Sequence, residues 1–154
     1  MAEYEQGSPA VGNSTSYKKQ TITMIFVVML IAAAVLCVVF FCLRVNADAR
    51  VALREAKDVN VALKMKAIEK YGLGGTVNSS TSMNGMSKGV EEEVLAMAHA
   101  DGKITLQSWD SEAREPLAFT YQKDKFIILY NKDEEGNVSW TGYYTFKVIG
   151  YSDQ

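Results

Sequence analysis

The run TITMIFVVMLIAAAVLCVVFFCL (21–43) passes directly into RVNADARVALREAKDVNVALKMKAIEKYG (44–72), and its own 23 residues hold no charge, glycine or proline. As a helix the run is roughly 34 Å long at about 1.5 Å per residue. That length crosses a hydrocarbon core of about 30 Å. The first breaker after it is Gly72. The spacing therefore predicts one helix of about 50 residues, half apolar and half amphipathic.

In the second half the apolar residues Val45, Ala49, Ala52, Ala56, Val59 and Leu63 recur at steps of four, three, four, three and four. Those steps place them on one stripe of a helix. Val51, Val61, Met65 and Ile68 are expected to widen that face towards its C-terminal end. Two surfaces can cover such a stripe, the chain's own domain or a second subunit. Residues 59–71 are expected to pack within the chain. Residues 45–56, rich in alanine, are expected to stand clear of the head and meet another subunit. Ala32, Ala33 and Ala34 would allow close approach of neighbouring helices inside the membrane.

Outside the helix the chain divides readily. Residues 1–20 carry Gly7, Pro9 and Gly12 among small polar residues, and we expect a disordered tail there. Residues 21–43 are the transmembrane helix, 44–71 its amphipathic continuation, and 72–154 an α+β globular head. A cleaved signal peptide is the competing reading of 21–43. The run exceeds the usual h-region of about 7–15 residues, and Val45-Asn46-Ala47 is a weak cleavage site. Cys37 and Cys42 both lie in the apolar run, so neither can staple the head. They read as small apolar side chains, with palmitoylation or an intersubunit disulfide as alternatives.

In the head, GLGGTVNSSTSMNGMS (72–87) reads as a polar loop, and a second short helix is expected from Lys88 to His99 with Ser87 as N-cap. After Asp101-Gly102 the period changes to two. ITLQSW (104–109), LAFTYQ (117–122), KFIILYN (125–131) and VSWTGYYTFKVIGY (138–151) read as strands. A tight turn is expected at Lys123-Asp124 and a bulge at Gly142. Short connections predict an antiparallel sheet of about four strands packed on the long helix. Ile104, Leu106, Phe119, Phe126, Ile128, Trp140, Tyr144, Phe146 and Val148 are the expected core.

Residues with chemistry are sparse. Lysine plus arginine total 16 against 18 acidic residues, so no basic stripe suggests nucleic acid. His99 is the only histidine, and the head has no cysteine to complete a zinc site with it. No serine sits in a nucleophile elbow and no phosphate loop is present. NKDEEGN (131–137) offers carboxylates that could hold calcium, but not at EF-hand spacing. Asn13, Asn78 and Asn137 each open an N-x-Ser/Thr sequon. We expect no enzyme, no catalytic residues, no cofactor and no metal.

The layout resembles type IV pilins and pseudopilins, in which a long N-terminal helix, apolar then amphipathic, is followed by a loop and an antiparallel sheet. ADARVALREAKDVNVALKMKAIEKYG (47–72) is similar to the second half of a pilin helix, and the lysine-containing leader ends KKQ at Gln20. The leader is atypical. Gln20 stands where the family has glycine, Thr21 where it has an aromatic or methionine, and Ile25 where it has glutamate. The resemblance implies a structural subunit of a filament or cell-envelope apparatus, with pilin-like subunits and membrane lipid as partners. It implies packing through Ala32, Ala33, Ala34, Val45, Ala49, Ala52, Ala56, Val59 and Leu63. The alternative is a membrane-anchored extracytoplasmic binding or sensory domain that does not polymerise. In either case the expected location is the cell membrane, N-terminus in the cytoplasm and head outside. Flanking Arg44, Arg50, Arg54 and Lys57 argue the other way, but long domains translocate largely regardless of charge.

Overall fold

The computed structural model describes residues 14–144 and 147–153. The elements run α1 (Ser14–Gly72), α2 (Val90–Ala98), β1 (Lys103–Asp110), β2 (Glu115–Lys123), β3 (Phe126–Lys132), β4 (Val138–Tyr143) and β5 (Lys147–Asp153). This is the α+β class expected. α1 starts earlier than the sequence suggested, so residues 14–20 of the expected tail are helical. Once a helix is nucleated each added residue gains a hydrogen bond, and no glycine or proline interrupts 14–71. Residues 1–13 of that tail lie outside the described residues.

The chain forms two compact units, Met1–Leu43 and Arg44–Gln154. In the first, every side chain described is exposed, among them Leu30, Leu36, Phe40 and Phe41. Among the described residues this is the one helix long and apolar enough to cross a membrane.

The second unit holds a five-stranded antiparallel meander in the order β1-β2-β3-β4-β5. The segment expected as one last strand, 138–151, is two, because β4 pairs back on β5 with Gly142 opposite Ile149. The expected irregularity at Gly142 is present as a register shift between Gly142 and Tyr143. The tight turn after β2 occupies Asp124-Lys125, one residue later than expected, with Asp124 at φ 50° and Lys123 paired with Phe126. Pro116 lies inside β2, where it lacks a donor for the ladder. Its partner strand absorbs this with register shifts on either side of Ser108.

One face of the sheet carries the core. Register aligns Leu106, Phe119, Tyr130 and Trp140 across four strands, and Ile104, Tyr121 and Ile128 across three. All seven are buried, together with Phe126 and residues of α1 and α2. Tyr121 and Tyr130 are core residues that the sequence reading omitted. Tyr144, expected in the core, is partly buried against it, while the side chains of Phe146 and Val148 lie outside the described residues.

The segment 73–89 is less polar in effect than in composition. Val77 and Met86 are buried, Asn78 bridges to Met86, and Leu106 N–H donates to the Asn84 carbonyl. Gly85 lies at φ 71° with its missing Cβ only 2.0 Å from the Leu106 carbonyl oxygen, so no side chain fits there. α2 is shorter than expected. Gly89, not Ser87, is its N-cap, at φ 80° and without a side-chain cap. Ser87 instead offers its carbonyl to Val90 N–H.

Candidate functional site: the two faces of the long helix

The stripe found in the sequence is real, but its cover differs from expectation. Ala49, Ala52, Ala56, Val59 and Leu63 are all buried in the head's own core, and Val45 is partly buried against it. The intersubunit seam expected over 45–56 is therefore already occupied at Ala49, Ala52 and Ala56. The physical reason is volume. Phe119, Tyr121, Tyr130 and Trp140 fill the sheet face, and small helix residues opposite let a close-packed core form. Ala62 and Ala67 join them, and neither was singled out beforehand.

Val51, Val61, Met65 and Ile68 do not widen this face. They are 52%, 54%, 57% and 67% exposed. At about 100° per residue, Met65 lies roughly 200° around the helix from the buried Leu63. Ala32, Ala33 and Ala34 remain exposed in the first unit, as do the free thiols of Cys37 and Cys42.

Polar clamps fix the amphipathic part of α1 to the head. Tyr121 hydroxyl donates to Glu55 Oε2 at 2.7 Å and accepts from Gly102 N–H at 3.1 Å. Lys123 Nζ bridges Glu55 at 2.5 Å and Asp101 at 2.9 Å. Burial, then the Glu55 carboxylate, pushes the Tyr121 phenol well above its ordinary range. Asp101 and Glu55 raise the Lys123 ammonium. Lys66, only 8% exposed, reaches Glu69 at 2.7 Å and Glu93 at 2.8 Å, which ties α1 to α2 and raises its pKa. Glu91, in the first turn of α2, accepts from Asn84 Nδ2 and Ile104 N–H, joining the loop to β1. These groups hold elements together. They do not converge on an open site with a nucleophile and a base.

Glu115 receives Lys132 and Lys64, and these two, in that order, hold its carboxyl below the ordinary glutamate value of 4.5. Between the unfolded and folded pKa values the folded state binds fewer protons. The stabilisation is complete above the unfolded value and is lost as pH falls through the folded one. Acid titration of the head should thus show stability declining below about pH 4.5, and Glu115→Gln should make that decline shallower. An unchanged acid limb in denaturant melts would place the pairing outside the stability of the fold.

The remaining candidates serve local structure. His99 is the exposed C-cap of α2, at φ 50°. In the acidic loop Asp133 accepts from Asn137 N–H at 2.8 Å and Asn137 Nδ2 at 3.0 Å, and this holds its carboxyl below the usual range. Among the described residues no group of three or more His, Cys, Asp or Glu side chains is placed to hold a metal. No protein-family model, no curated protein and no solved structure matches the chain.

Proposed function

We propose that the chain is a structural subunit of a pilin-like filament or cell-envelope apparatus. In this reading it is single-pass, with a cytoplasmic N-terminus and an extracytoplasmic head, and it assembles through residues 21–43. One observation supports this most. Within a single helix the stripe from Ala49 to Ala67 is spent on the chain's own sheet, whereas every residue of 21–43 is uncovered. Lipid can cover that surface in the membrane, and neighbouring copies can cover it in a filament, with Ala32, Ala33 and Ala34 giving the closest approach. The burial of Ala49, Ala52 and Ala56 narrows the assembly surface relative to the full stripe. The same burial favours the second reading, an anchored extracytoplasmic domain that does not polymerise.

The native thiols provide the test. Cys37 and Cys42 lie in the uncovered segment, so mild oxidation of intact membranes should yield disulfide-linked dimers, and the protein should appear in sheared surface material. An anchored monomer gives neither. Orientation is tested separately by Ser111→Cys, an exposed position, in a Cys37→Ser, Cys42→Ser background. An impermeant maleimide should label it from outside. Labelling only after the inner membrane is opened would reverse the orientation.

A further inference from the structure

On the side of α1 turned away from the head's core, the exposed residues keep a regular order. Ala47, Val51, Arg54, Asp58, Val61, Met65 and Ile68 are all exposed, and they follow one another at steps of four, three, four, three, four and three. That alternation is a 3.5-residue repeat, so these residues form one line over three heptads. A helix whose opposite face is buried ordinarily turns polar residues outward. Here Val51, Val61, Met65 and Ile68 are large, apolar and more than half exposed. Single exposed apolar side chains are ordinary, but a contiguous line of them marks a contact surface.

The two charged members of the line indicate what covers it. Arg54 and Asp58 carry opposite charges one helical turn apart, and among the described residues neither is in an ion pair. An apolar partner would strip water from both charges and return nothing. An identical helix compensates them. Arg54 of each copy then faces Asp58 of the partner subunit across a rise of about 6 Å, at about 1.5 Å per residue, which an arginine side chain can span. The line is thus complementary to itself, apolar to apolar and charge to opposite charge, as a two-fold interface between identical chains requires. A polar layer in such a seam lowers its stability and fixes its register.

We infer that a second copy of this chain covers this line, in a parallel two-stranded coiled coil over residues 47–68. The direction follows from residues 21–43, because copies inserted the same way in one membrane run in the same sense. The inference rests on the reading of 21–43 as a membrane anchor and not on filament assembly. Three heptads with a charged layer hold weakly between free molecules, and confinement to one membrane supplies the effective concentration that closes them. The buried stripe from Ala49 to Ala67 is left untouched, so the seam and the head's core share one helix without competing.

Single cysteines in the full chain in membranes test this, in the Cys37→Ser, Cys42→Ser background. Mild oxidation should link Val61→Cys copies into dimers, and Ser111→Cys, exposed on the head, should give several-fold less. A charge exchange reads the pairing itself. Asp58→Arg in one tagged Val61→Cys copy and Arg54→Asp in another should each lower linkage between like copies several-fold, and linkage should return between the two kinds. Both positions are exposed, so the head's melting should match the parent's and show the fold intact. Release of the chain by alkaline carbonate would refute the anchor and with it the parallel direction. Dimers through Cys37 and Cys42 in the parent chain, without Val61→Cys dimers, would leave assembly through 21–43 standing and overturn the seam. The seam is also overturned if Val61→Cys links only to Val51→Cys copies, which marks antiparallel helices, or if linkage is indifferent to the charges at 54 and 58.

Discussion

Trp140→Ala in a fragment of residues 44–154 is expected to remove most of the head's stability. Trp140 is 3% exposed and stands at the centre of an aromatic group. Its ring lies 4.8 Å from that of Tyr130 and 6.0 Å, edge-on, from that of Phe119. Phe119 in turn stacks on Tyr130 at 4.9 Å. Truncating a buried tryptophan costs about 3–5 kcal/mol, because the transferred area is lost and a cavity remains. A small domain has only about 5–15 kcal/mol in total. Urea melts of the fragment should therefore show a large drop in midpoint, or no folded baseline. Met83→Ala is the control, since Met83 is fully exposed. A change there should stay within about 0.5 kcal/mol. Equal midpoints for Trp140→Ala and the parent fragment would mean that the core lies elsewhere.

The sequence was legible wherever local periodicity carries the information. The steps of four and three from Val45 to Leu63 identified a stripe, and three of the five strands, β1, β2 and β3, were placed to within two residues. What covers a stripe is not local. Ala52 facing its own sheet and Ala52 facing a second copy have the same spacing, and only the aromatic residues aligned across β2, β3 and β4 decide between them. The exposed set Val61, Met65 and Ile68 misled for a related reason, since apolar character alone does not say which side of a helix is covered. The split between β4 and β5 was hidden because TGYYTF (141–146) continues a β-forming composition with no turn dipeptide. Val77 and Met86 were hidden inside a polar segment, where isolated apolar residues give no period. The clamp of Glu55 with Tyr121 and Lys123 joins residues 66 and 68 positions apart, and nothing in either local sequence announces it.

The second large effect separates folding from assembly. Ala52 is 1% exposed in the core and Ala33 is exposed in the uncovered segment. Ala52→Glu places a carboxylate among apolar neighbours. An uncompensated buried charge costs about 3–5 kcal/mol, so the fragment 44–154 carrying it should be unfolded or close to it. Had Ala52 lain on an intersubunit seam, the same change would leave the isolated fragment's stability intact and disturb only association. Ala33→Leu is the converse. It keeps the segment apolar, so membrane insertion should persist, and the head's melting should match the parent. The added bulk at a small-residue position should reduce Cys37 and Cys42 crosslinking in membranes and the yield of sheared material. Both readouts unaffected by Ala33→Leu would remove the alanine patch from the assembly surface. A stable Ala52→Glu fragment with lost crosslinking in the full chain would return the seam to residues 45–56.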